Sequence, residues 1–173
     1  MRIVLVLVFG LSLSVSAQKK AFHLIEKGDK KLQKGDTMLA LYHYQSAIAY
    51  DSSFADAYAK ISDIHISKGH YDRALVLLND GIRITKSIPK DKATISHLYS
   101  IRSFIHFTAE SFHLAINDLD HAILLNTENP NYFYMRALVK RMNGDEKGCC
   151  RDLKRAIALG MEAADVYSKT YCN

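Results

Sequence analysis

Pro130 to Gly160 reads P-N-Y-F-Y-M-R-A-L-V-K-R-M-N-G-D-E-K-G-C-C-R-D-L-K-R-A-I-A-L-G. A helical run breaks at Gly144-Asp145, and a second helical run ends on Gly160. With Pro130 as position 1, apolar or small residues fall at Phe133 (4), Ala137 (8), Cys149 (20), Leu153 (24) and Ala156 (27). The same skeleton occurs three times upstream. Position 8 is Gly28, Ser62, Ser103 and Ala137, position 20 is Ala40, Ala74, Ala115 and Cys149, and position 27 is Ala47, Gly81, Ala122 and Ala156. Large residues stand at position 4 (Leu24, Tyr58, Tyr99, Phe133) and position 24 (Tyr44, Leu78, Leu119, Leu153). Two helices approach closely only where both carry small side chains, and the large residues fill the layers around those contacts. One helix pair cannot bury its apolar faces alone, whereas stacked pairs can. The spacing predicts an all-α chain of four helix pairs.

The punctuation agrees. Phe22–Lys34 and Thr37–Tyr50 flank Gly35-Asp36, and Ser53–Lys68 and Tyr71–Lys86 flank Gly69-His70. Glycine just past a helix takes positive φ without a Cβ clash, and Asp or Thr after it caps the next helix. Gly35 and Gly69 are 34 residues apart, a repeat period. Ala74 to Ala115 is 41, seven more, with the surplus around Ser87-Ile88-Pro89-Lys90-Asp91. Pro89 stops a helix there and Asp91 can start one. A long helix over Asp91–Ala109 and a partner over Ser111–Asn126 follow, with Glu110 where the turn glycine stands elsewhere. Ala115 to Cys149 is 34 again, and Met161–Tyr171 reads as a closing helix.

Residues 1–17 have the form of a secretory signal peptide. Arg2 is a positive n-region, Ile3–Leu13 an apolar h-region, and Val15-Ser16-Ala17 puts small residues at −3 and −1 for cleavage before Gln18. Ile3–Leu13 is far shorter than the ~20 residues that span a bilayer. The expectation is an exported chain, periplasmic or secreted, with no membrane span in its mature form. The 23 basic residues against 18 acidic are scattered in pairs such as Lys19-Lys20 and Lys154-Arg155. A solvated helical face looks like this, whereas nucleic-acid binding needs a concentrated stripe with a docking motif.

An exported chain meets an oxidising compartment, where cysteines pair. Cys150 lies ten residues before Gly160 and Cys172 twelve after it. If Gly160 is the corner of a helix hairpin, the arms bring both to one end, and a Cys150–Cys172 disulfide pins the closing helix. Cys149 holds a position where small size matters and is expected to stay reduced. A redox pair at Cys149-Cys150 is the alternative, but neighbours on a helix point about 100° apart and pair poorly.

The skeleton resembles the tetratricopeptide repeat (TPR), a 34-residue helix-turn-helix with small residues at 8, 20 and 27 and large ones at 4 and 24. Four repeats, about 21–52, 55–88, 96–129 and 130–160, with a closing helix over 161–172, make 18–173 one TPR domain. The ending through Gly-Cys-Cys-Arg-Asp-Leu-Lys-Arg is similar to that of short exported TPR proteins of bacterial envelopes. Position 7 departs from the pattern. It is Lys27, Ile61, Arg102 and Arg136, where an apolar residue is usual. Proline is also absent near position 32.

The resemblance implies a right-handed superhelical solenoid whose first helices line a concave groove through positions 2, 5, 9 and 12. Those residues include Phe22, Ile25, Asp29, Asp56, Asp63, His97, Phe104, Phe107, Asn131, Tyr134, Leu138 and Arg141. It implies a non-enzymatic module binding a protein or peptide there. An architectural subunit of an envelope complex, using convex or end surfaces, is the alternative. The clamp some TPR domains use for a peptide's terminal carboxylates is not matched, since Ile25, Asp29, His97 and Ser100 stand at its positions. No metal or cofactor is expected. His113 and His121 lie about 12 Å apart along a helix, too far to share one ion. No H-E-x-x-H, phosphate loop or G-x-S-x-G occurs.

Overall fold

A computed structural model describes residues 2–86 and 92–172, with side chains over 16–85 and 92–172. The leader's charge and apolar run at Arg2 and Ile3–Leu13, Val15 of its cleavage motif, and the boundary at Pro89 and Asp91, fall outside the described side chains. The described residues form nine α-helices and no strand. They are α1 (Arg2–Gln33), α2 (Thr37–Tyr50), α3 (Ala55–Ser67), α4 (Tyr71–Lys86), α5 (Lys92–Thr108), α6 (Phe112–Leu125), α7 (Pro130–Met142), α8 (Glu146–Ala158) and α9 (Glu162–Tyr171). The all-α expectation and the helix pairs hold. α1 begins earlier than the repeat pattern suggested, because its helical backbone runs back to Arg2.

One turn recurs. Gly35, Gly69, Gly144 and Gly160 all take positive φ, and Glu110 takes the same left-handed conformation at φ 55°. In each turn the amide three residues past the helix end reaches back to a carbonyl five residues earlier. The pairs are Asp36 N–H to Lys31, His70 to His65, Ser111 to His106, Asp145 to Lys140 and Met161 to Ala156, at 2.8–3.0 Å. This six-to-one closure satisfies carbonyls that the helix end leaves open. Asp36 and Asp145 then cap the following helices, accepting from the amides of Leu39 and Gly148.

The chain divides into two compact units, residues 1–89 and 90–173, and the division falls in the stretch where the period slips. In the first, α1 packs on α2, α2 on α3 and α3 on α4. Ala40, Tyr44, Ala47, Ala57 and Ile61 form its core with Ala21 and Ile25. In the second, α5 packs on α6, α6 on α7, α7 on α8 and α8 on α9. Phe133, Ala137, Cys149, Leu153, Ala156 and Ala164 form a core there, so α9 closes the last pair. Positions 8, 20, 24 and 27 are buried in all four repeats. Gly28 shows why size is fixed. A methyl group on its Cα would overlap the ring of Tyr44, which replaces the leucine of the other repeats.

Candidate interaction surface

Position 7 turns polar in the C-terminal unit for a structural reason. Arg102 on α5 reaches Asp118 on α6, its Nε donating at 2.9 Å, and His106 lies 3.7 Å from the same carboxylate. Arg136 on α7 repeats this with Asp152 on α8, Nε donating at 2.8 Å. Lys140 joins at 2.8 Å, and Asp120 takes a further Arg136 N–H. The fork of a guanidinium matches a carboxylate with two parallel bonds. Both aspartates are buried, Asp118 2% and Asp152 5% exposed. Each sits sixteen residues after its arginine, at position 23, so the signal was present in the sequence as a recurring Arg-x15-Asp. The hydrogen bond to Asp118 raises the Arg102 pKa above its ordinary value. For Arg136, burial works against the charge, and the bonds and charges of Asp152 and Asp120 together outweigh it. Burial lowers the pKa of His106 despite Asp118.

The sequence-derived groove residues separate by what each one touches. Ile25 is a correction, because it is 4% exposed in the N-terminal core and offers nothing to a partner. It sits beside position 4 on the buried stripe of α1, a placement that spacing alone assigns to either face. Asp29 accepts a 2.7 Å hydrogen bond from the Tyr44 hydroxyl and pairs with Lys60 at 3.1 Å, so it ties α1 to α2 and α3. Burial and that hydrogen bond push the Tyr44 pKa upward. Asp56 is half-buried, while Phe22, Asp63, His97 and Asn131 are exposed.

Tyr134 and Arg141 are engaged by the closing helix. Tyr134 meets Tyr167 edge-on, with ring centroids 6.2 Å apart, and Arg141 stacks 3.3 Å from the centroid of Tyr171. The Cys150–Cys172 disulfide holds the end of that helix, as the spacing around Gly160 suggested. Cys149 is a buried thiol, its pKa raised by that burial.

The remaining three, Phe104, Phe107 and Leu138, come together. With Ser103, Met135 and Val139 they line an apolar hollow of about 200 Å³ between α5 and α7, the first helices of two successive repeats. Ser96 and Tyr132 meet through their hydroxyls at 3.0 Å, and Ser100 Oγ lies 3.5 Å from Met135 Sδ, which fix the spacing of the two helices. Phe104 is 40% exposed at its rim. Met135 and Val139 lie at positions 6 and 10, outside the groove positions 2, 5, 9 and 12 of the repeat.

No family model matches the sequence. Among the described residues no helix is long and apolar enough to cross a membrane. The fold is nonetheless shared with solved structures. A complex of the anaphase-promoting subunits Cut9 and Hcn1 matches with a TM-score of 0.75 at 16% identity, over 89% of this chain and 30% of that one. MamA matches with a TM-score of 0.64 at 23% identity, over 77% of this chain and 74% of that one. The second TPR domain of human RPAP3, solved in complex with an HSP70 peptide, matches with a TM-score of 0.59 at 18% identity, over 69% and 95% of the two chains. The chain has the tetratricopeptide-repeat fold.

Proposed function

We propose that this chain is a non-enzymatic protein-interaction module whose partner inserts an apolar side chain into the hollow between α5 and α7. The observation that carries the reading is an apolar concavity walled by Phe104, Phe107, Met135 and Leu138. A preformed site of this kind loses little ordering entropy on binding. The RPAP3 domain, of the same fold, is solved with a peptide, which supports a peptide or protein segment as the ligand class. Displayed peptides selected on the full chain should share an apolar anchor residue. Phe104→Ser should weaken them by about tenfold, an ordinary value for a buried apolar anchor. His113→Ser, at an exposed position of α6, should leave them unchanged. Equal loss from both variants, or none from Phe104→Ser, favours the architectural alternative on convex or end surfaces.

Export is part of the same proposal. Its supports are the pattern of Arg2, Ile3–Leu13 and Val15-Ser16-Ala17 and the need of a Cys150–Cys172 bridge for an oxidising compartment. Amino-terminal sequencing of the chain from its source cells should begin at Gln18. A chain that retains Met1 or Arg2 would refute cleavage.

A further inference from the structure

Positions 7, 11 and 23 form one site in three of the hairpins, and its contents differ. In α5–α6 they are Arg102, His106 and Asp118, and in α7–α8 they are Arg136, Lys140 and Asp152, each set joined around a buried carboxylate. In α1–α2 the same positions are Lys27, Lys31 and His43. A cation is kept at position 7, position 11 is a lysine as in α7–α8, and the carboxylate is replaced by an imidazole. Lys30 and Lys34 add two more ammonium groups, and the five residues line an open hollow of about 340 Å³. Among the described residues none of the four lysines forms an ion pair. The nearby acids are engaged elsewhere. Glu26 lies 3.5 Å from the His23 ring, Asp29 is held by Lys60 and Tyr44, and Asp36 caps α2. Nδ1 of His43 is buried and has no hydrogen-bond partner.

We propose that this hollow binds a phosphoryl group, which supplies from outside the negative charge that Asp118 and Asp152 supply within their own hairpins. The cation type points to phosphate over carboxylate. Where the counter-ion is an internal carboxylate the repeat carries arginine, whose planar fork pairs with two oxygens. Here it carries lysines, compact point charges that converge on a dianion from several directions. The site lies within the N-terminal unit and is independent of the apolar hollow in the other.

The test is titration of the full chain with inorganic phosphate at constant ionic strength, following by NMR the backbone amides of residues 27–34 in every variant and the His43 ring where it is present. A saturable shift is expected, weakened about fivefold or more by Lys31→Gln, a typical effect of removing one of several converging charges. Lys147→Gln, elsewhere on the surface, should leave it unchanged. His43→Asp introduces the carboxylate of the two C-terminal hairpins and should abolish phosphate binding while raising the thermal midpoint. The source is separated by a second arm with phosphatidylcholine vesicles, with and without phosphatidic acid. Phosphatidic-acid binding that inorganic phosphate displaces assigns a lipid headgroup, and phosphate binding without vesicle binding assigns the free anion. A shift that never saturates, equal effects of Lys31→Gln and Lys147→Gln, vesicle binding without phosphate binding, or phosphate binding retained by His43→Asp would each overturn the site.

Discussion

The two compact units share one skeleton and differ in what ties their helices together. In the N-terminal unit the α1–α2 hairpin carries lysines and a histidine at positions 7, 11 and 23, and α3–α4 carries Ile61 and Leu77 at 7 and 23. Both hairpins of the C-terminal unit instead enclose an arginine on a buried aspartate, and a disulfide fastens the closing helix. The small and large residues at 4, 8, 20, 24 and 27 therefore make the fold in either unit, while 7, 11 and 23 are left to vary. Individual chemistry sits at those variable positions.

The comparison breaks most visibly at Asp152. Asp152→Ala leaves Lys140 without its carboxylate and Arg136 with only the exposed Asp120, both in a part-buried site, and should cost about 3 kcal/mol. Hydrogen exchange should show the loss in α7 and α8 and not in α1 and α2. His43→Ala, at the matching position, should cost under ~1 kcal/mol because no ion pair is removed. Equal costs would mean that the networks do not distinguish the units.

A smaller effect is expected at the end of the C-terminal unit. Cys150→Ser opens a loop of 22 residues and should lower stability by about 3 kcal/mol in the chain-entropy model. Protection should be lost first in α9, where the stacking of Arg141 on Tyr171 depends on that helix staying docked. Unchanged α9 protection would show that Ala164 and the tyrosines hold it unaided.

Among the described residues Glu110 is the one turn residue that occupies the left-handed region with a Cβ. Glu110→Gly should stabilise the C-terminal unit by ~0.5–1 kcal/mol, read as a rise in denaturation midpoint. The smallest effect concerns pH. Burial holds the folded pKa of His106 below its ordinary value, and the same is true of His65. The unfolded chain then takes up these protons first, so their contribution is complete above pH ~6.5 and declines as pH falls through that value. His106→Gln should flatten that decline, which thermal melts between pH 5 and 8 would register.

Helices and turns were legible because each depends on neighbours in sequence. Gly35, Gly69 and Gly144 mark turns by backbone freedom alone, and even Glu110 was placed correctly by the period. The buried ion pairs were half legible. Arg102 and Arg136 stood out as departures, but their meaning lay sixteen residues away in Asp118 and Asp152, on the partner helix. The groove was least legible. Tyr134 and Arg141 occupy groove positions of the repeat, yet a helix more than twenty residues further along covers them, and Ile25 turns into its own core. Which first-helix residues remain open is decided by such distant packing, and only Phe104, Phe107 and Leu138 converge on a hollow.

The measurement that tests the interaction reading most directly is crosslinking in intact source cells, with a photoreactive residue at Phe104 and a matched control at His113. A discrete adduct is expected from Phe104 and none from His113. Adducts from His113 alone, or equally from both positions, would contradict it.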